Sequence, residues 1–147
     1  MNAQGLMAEL ASVLDITLDF NDENLCRIVF LEDIVDFEAN QGPDGDSLFI
    51  IANLGNFIDD KAVLDRLLRA NYLGAQSGGA TISLSDEGFM MHRQLTMPME
   101  YPDFEKALEH FVNSMRYWKE WIALPHEEAT MISDSTLTTP MQGMLRI

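Results

Sequence analysis

The stretch Ile34-Val35-Asp36-Phe37-Glu38-Ala39-Asn40, followed by Gln41-Gly42-Pro43-Asp44-Gly45-Asp46 and then Ser47-Leu48-Phe49-Ile50-Ile51-Ala52-Asn53-Leu54, decides the fold class. Val35, Phe37 and Ala39 alternate with Asp36, Glu38 and Asn40, which is the period-two pattern of a strand with one buried face. Pro43 and the two flanking glycines make a strong turn. Ser47 to Leu54 is a more continuously apolar strand. Upstream, Leu25 to Leu31 (LCRIVFL) is rich in strand formers, and Glu32-Asp33 can reverse the chain. The three segments form a meander whose first strand is a candidate sheet edge, with free main-chain groups for an incoming segment.

Helices flank this meander. Leu6, Leu10 and Leu14 recur every fourth residue, the stripe of a short amphipathic first helix. Asp59 or Asp60 can cap a second helix over Lys61 to Leu73, with Leu64, Leu67, Leu68 and Tyr72 on one side and Gly74, Gly78 and Gly79 ending it. Thr81–Leu84 and Phe89–Leu95 flank the turn Ser85-Asp86-Glu87-Gly88 and read as a hairpin. Phe104, Leu108, Phe111, Met115, Trp118 and Ile122 mark a third helix, Asp103 to Ile122. The order is α-β-β-β-α-β-β-α, an α+β fold with a twisted antiparallel sheet packed by helices. Residues 1–124 read as one domain. Residues 125–147, rich in Ser, Thr and Met and without periodicity, read as a C-terminal tail that is mobile or ordered only by a partner.

Composition narrows the partners. The chain has 147 residues, and 24 acids against nine Lys and Arg give a net charge of −15. Thirteen of those acids but only one base, Arg27, fall in Met1–Asp60. Nucleic acid and anionic membranes would be repelled, whereas a basic or amphipathic polypeptide would be attracted. No apolar run is long enough to cross a bilayer, and the first fourteen residues lack the charge and apolar core of a secretory signal. The single cysteine, Cys26, excludes an intrachain disulfide and fits a reducing compartment. The expected setting is cytoplasmic.

Catalytic and metal chemistry finds little support. His92, His110 and His126 are not paired at ligand spacing, and Cys26, a lone thiol in a strand, reads as a buried inert cysteine. Asp19, Asn21 and Glu23 alternate like calcium ligands but lack the central glycine and terminal glutamate; Asp44-Gly45-Asp46 fails in the same way. Glu32, Asp33 and Asp36 read as charged turn residues. Gly74–Gly79 follows a helix and lacks the Lys-Ser/Thr of a phosphate loop. No cofactor is expected. Ten methionines, with Met90, Met91, Met97 and Met99 close together, suit either core filling or an adaptable binding surface.

Taken in order, these pieces resemble the class I type III secretion chaperones of the CesT (Tir chaperone) family. Leu67-Leu68-Arg69-Ala70-Asn71-Tyr72-Leu73 is similar to the family's LLxANLxG segment. Ile82-Ser83-Leu84-Ser85-Asp86-Glu87-Gly88-Phe89-Met90-Met91 is similar to its lgLdeeG.l.L segment, with Met91 in place of the usual leucine. The likeness spans about Leu6 to Leu124, so the tail inherits nothing from it. The resemblance implies a homodimer without enzymatic activity that binds the extended N-terminal segment of a secreted effector, keeps it soluble and presents it to the secretion ATPase in the bacterial cytoplasm. It implies Leu6, Leu10, Leu25, Ile28, Val35 and Phe37 as effector-binding candidates, and Leu64, Leu67, Leu68, Asn71 and Ile82 as the dimer interface. A regulatory protein of the same fold that sequesters a secretion regulator is the alternative; a small enzyme with an unrecognised polar pocket is the third reading.

Overall fold

The computed structural model describes residues 1–74 and 76–126. The tail expected at 125–147 therefore lies, from residue 127 onward, outside the described residues. The elements are α1 (Ala3–Leu14), β1 (Leu25–Phe30), β2 (Asp33–Gly42), β3 (Gly45–Gly55), α2 (Lys61–Ala70), a 3-10 turn (Tyr72–Gly74), β4 (Thr81–Ser85), β5 (Gly88–Thr96) and α3 (Tyr101–Ala123). This is the expected α-β-β-β-α-β-β-α order, with an antiparallel five-stranded sheet ordered β1-β2-β3-β5-β4. β1 and β4 are its two edges.

Among the described residues two compact units divide the chain: Met1–Ala52 with His92–Glu109, and Asn53–Met91 with residues 110–126. In the first unit, Asn2 caps α1 by accepting from the Gly5 N–H at 2.8 Å, which satisfies one of the orphan donors of the first turn. Leu6, Met7 and Leu10 are buried, as the leucine stripe requires. Asp15 ends the helix in a left-handed conformation, its N–H donating back to Ala11 and Ser12 carbonyls.

The meander has the expected alternation. Val35 and Phe37 are buried, whereas Asp36 and Glu38 face the other way. The register places Cys26 opposite Phe37, Phe37 opposite Ile50, and Ile28 opposite Val35, so the apolar residues form continuous rows across three strands. Phe104 of α3 lies against Phe37, ring centroids 6.1 Å apart. Each such fully buried side chain contributes about 1.5–3 kcal/mol of transfer free energy. The first hairpin turn lies one residue earlier than the expected Glu32-Asp33, and the second is tighter than the expected Gln41–Asp46. Phe30 pairs with Asp33, so Leu31-Glu32 forms the first turn, and Gly42 pairs with Gly45, so Pro43-Asp44 forms the second.

In the second unit, Asp60 caps α2, its Oδ1 accepting from Ala62 and Val63 N–H groups at 2.8 and 3.3 Å. The buried face of α2 is Val63, Arg66, Leu67 and Ala70 rather than the expected Leu64-Leu67-Leu68-Tyr72 side. The stripe is rotated by about one residue, ~100° around the helix axis. The physical reason is Arg66. Its guanidinium lies over the Trp118 and Trp121 rings at 5.5 and 5.2 Å and donates from Nη2 to the Tyr117 hydroxyl at 3.1 Å. The aliphatic stem therefore packs like an apolar side chain while the head is held by aromatic faces. Burial lowers its pKa from the ordinary arginine value, and the Tyr117 phenol opposes that shift.

α2 also ends at Ala70, three residues earlier than the leucine spacing implies, because Leu73 takes a left-handed φ of 54°. Trp118 Nε1 donates to the Gln76 carbonyl at 3.0 Å, which fastens the segment after this turn to α3. Gly88, at φ +119°, opens β5 with its backbone against Gly55, where any Cβ would collide with the Gly55 carbonyl.

Candidate partner-binding surfaces

Among the described residues, two groups of exposed apolar side chains stand out, one in each unit. The first is built on the β1–β2 hairpin. Ile28 and Cys26 turn inward, so Arg27 and Val29 turn outward. Val29 pairs across the ladder with Ile34, and both are exposed, Val29 to 62%. Leu31 sits at the hairpin tip, 95% exposed, with φ of 55°. A leucine in that backbone region is sterically disfavoured, and full exposure of its side chain adds an uncompensated apolar surface. Next to this patch Arg27 makes a two-pronged ion pair with Asp36, at 2.7 Å from Nε and 2.9 Å from Nη2.

A pocket of about 490 Å³ lies in the same unit, between α1 and the segment leading into β1. Gln4, Met7 and Ala8 form its helix wall; Leu18, Asp19, Phe20, Asn21 and Asn24 form the other. Its lining is mixed, with apolar Met7, Leu18 and Phe20 beside amides and one carboxylate. It suits an apolar side chain flanked by donors or a cation, which accords with the acidic balance of the first sixty residues.

The second surface surrounds the end of α2. Leu68, Tyr72, Leu73 and, on β4, Leu84 are all exposed, Leu68 to 69% and Leu73 to 87%. Asn71 lies within this run and fastens it to β4. Its Nδ2 donates to the Ile82 carbonyl at 2.8 Å and its Oδ1 accepts from the Ile82 N–H at 2.7 Å.

The candidates from sequence divide accordingly. Leu6, Leu10, Ile28, Val35 and Phe37 are buried among the core side chains of their own unit, and Leu25 is half-buried at the start of β1. Of the dimer candidates, Leu67 and Ile82 are buried, Leu64 and Asn71 are half-buried, and Leu68 is exposed. The sequence reading missed Val29, Leu31, Ile34, Leu73 and Leu84. Their signal was faint: apolar residues at the polar phase of a strand, or inside turns.

His92 is half-buried and His110 exposed. His126 is buried against Trp121, its Nε2 2.5 Å from the Ile122 carbonyl oxygen. Burial pushes the Cys26 thiol pKa up, and the Asp19 and Asp36 carboxylates add to the shift. Among the described residues no group of three or more His, Cys, Asp or Glu side chains converges as a metal site, and no helix is long and apolar enough to cross a membrane.

Comparison with known proteins identifies the family of this arrangement. A search of curated protein sequences found no match. Solved structures do match in fold. The HopA1–SchA chaperone–effector complex aligns with a TM-score of 0.62 at 15% identity, covering 80% of this chain and 92% of that one. The ExsC–ExsE complex gives 0.65 at 15% identity, covering 82% and 96%. The Yersinia pestis type III secretion chaperone SycH, in complex with a fragment of YscM2, gives 0.59 at 17%, covering 76% and 94%. At these identities the likeness is one of fold. The family profile of the Tir chaperone proteins matches residues 5–119, most of the chain. This chain belongs to the Tir chaperone protein (CesT) family.

Proposed function

We propose that this protein is a type III secretion chaperone. It binds the N-terminal segment of a cognate effector, keeps that segment soluble and unfolded, and hands the complex to the secretion apparatus, with its ATPase as the receiving partner. The observation that carries the reading is the exposed Val29–Ile34–Leu31 patch beside the edge strand β1, in a member of a chaperone family. An extended segment laid there exchanges its own exposed apolar area for contact, at about 25 cal/mol per Å². The ordering entropy of that segment requires a long contact, which the pocket beside α1 extends. The fold similarity to a chaperone–effector complex and to SycH with its bound fragment supports the same reading.

The protein works as a homodimer in the bacterial cytoplasm, without catalytic activity. Leu68, Tyr72, Leu73 and Leu84 supply the apolar area for the two-fold contact. Leu67 and Ile82 act beneath it as core support, and Leu64 and Asn71 border it. Among the effector candidates, half-buried Leu25 touches the partner, and Leu6, Leu10, Ile28, Val35 and Phe37 shape the surface from below.

The test is recovery of the tagged chain from its native host, with light scattering and peptide sequencing of what it carries. The expected result is two copies of the 16.6 kDa chain holding one polypeptide through that polypeptide's N-terminal region. A monomer carrying no polypeptide would overturn the reading. A bound partner that is retained in the cell and controls secretion would favour the regulatory alternative.

A further inference from the structure

The pocket beside α1 and the last residues of the sequence are complementary in chemistry. Met7 is buried in the pocket wall, and Leu18 and Phe20 are half-buried, so the apolar lining is recessed. Gln4, Asp19, Asn21 and Asn24 are its exposed polar members. Asn21 is already engaged, because its Oδ1 accepts from the Glu23 and Leu25 N–H groups at 2.9 and 3.0 Å. Asp19 carries the one formal charge in the lining. A ligand for this seat has an apolar side chain next to a cation, and no acid close by.

One segment outside the described residues has that composition. In 127–147 the acids Glu127, Glu128 and Asp134 all precede Ser135. Residues 135–147 hold no acid and a single base, Arg146, set between Leu145 and Ile147. The other apolar pair of the tail, Met131-Ile132, lies between Glu128 and Asp134 and would bring like charge to Asp19. Reach is ample: the 19 residues from Glu127 to Leu145 can span about 60 Å, some twice the diameter of a small domain. A flexible tether also presents its end at an effective concentration on the order of millimolar, enough to fill a site of weak intrinsic affinity.

We propose that Met144-Leu145-Arg146-Ile147 seats in the α1 pocket of its own chain. Leu145 packs against Met7, Leu18 and Phe20, and the Arg146 guanidinium pairs with the Asp19 carboxylate. The tail thus covers a recessed apolar surface of the free protein, and an incoming polypeptide must displace it. The tail acts as a built-in competitor that sets a threshold for binding at this pocket. That the displacing polypeptide is an effector rests on the chaperone reading; the seat of the tail does not.

NMR of the full chain, with amides and methyl groups assigned, tests this. The free parent should show nuclear Overhauser contacts from the Leu145 methyls to the Met7 methyl or the Phe20 ring. Those contacts should vanish in an isotope-filtered spectrum of mixed labelled and unlabelled copies. Arg146→Glu and Asp19→Lys should each remove them and shift the Ala8 and Asn24 amides, whereas the double exchange should restore them. A purely structural role of Asp19 would not be rescued by Arg146→Glu. The probe acetyl-Met-Leu-Arg-Ile-amide, titrated to about 5 mM, should shift the same amides in the Arg146→Glu chain with at least about fivefold higher affinity than in the parent, whose own tail competes. Absent Leu145 contacts in the parent, contacts only between copies, failure of the double exchange to restore them, or a probe that binds both chains equally or neither would each overturn the proposal. None of these outcomes bears on the chaperone reading, which the recovered partner decides.

Discussion

The guanidinium of Arg66 lies between two indoles, 5.5 Å from the Trp118 ring and 5.2 Å from that of Trp121, and so decides which side of α2 is buried. Trp118 is itself held edge-on by Tyr117 and Trp121, with centroids 5.1 and 5.6 Å away. Arg66→Ala should lower stability by about 2–4 kcal/mol, combining lost cation–π attraction, lost stem packing and an unpaired Tyr117 hydroxyl. Arg66→Lys should cost less, because the stem is kept while the planar head is lost. Urea titration followed by tryptophan fluorescence measures both. Equal midpoints for Arg66→Ala and the parent would show that the aromatic clamp contributes nothing.

Neighbouring leucines on α2 should separate folding from assembly. Leu67 is 3% exposed and Leu68 69%. Leu67→Glu places a charge with no partner in the core and should abolish the folded state, with a cost of several kcal/mol. Leu68→Glu should leave circular dichroism and the urea midpoint of the monomer nearly unchanged while converting dimer to monomer in light scattering. A Leu68→Glu dimer as tight as the parent would remove Leu68 from the interface.

A similar contrast applies to the β1–β2 hairpin. Phe37→Ala should cost about 3–5 kcal/mol, since its ring is buried against Phe104. Val29→Glu with Leu31→Glu should change stability by no more than about 0.5 kcal/mol each, yet reduce partner retention at least tenfold. Retention measured on the partner recovered from the host, beside thermal melts, distinguishes the two. Unaltered retention in the double variant would exclude this patch.

The buried thiol sets an alkaline limit. Its folded pKa is raised, first by burial and then by Asp19 and Asp36, above the reference value of 9.0. The protonated thiol is thus favoured by folding. That stabilisation is complete below the unfolded thiol's pKa and is lost as pH rises through the higher folded value. Urea midpoints measured from about pH 7.5 to 10.5 should fall more steeply for the parent than for Cys26→Ala. Iodoacetamide at neutral pH should label Cys26 only as the chain unfolds. Rapid labelling of the native protein would contradict its burial.

The sequence by itself determined the element order, the meander and most of the core. Strand alternation at Val35–Asn40 and the seven-residue rhythm of α3 are local properties. A strand of period two, or a helix whose apolar residues form one unbroken stripe, buries that face whatever it packs against. The acid-rich first sixty residues were equally legible, because charge is additive along the chain. Only the tertiary structure decided which apolar residues are left uncovered. Leu67 and Leu68 are chemically identical, and their fates differ because Arg66 finds two indoles from α3, far away in sequence. Val29, Leu31 and Leu73 are exposed because of ladder position and left-handed turns, which depend on register and loop length. The hydrogen bonds of Asn21 to Leu25 and of Asn71 to Ile82 were invisible for the same reason: an asparagine meets a strand edge only when the fold brings one to its amide.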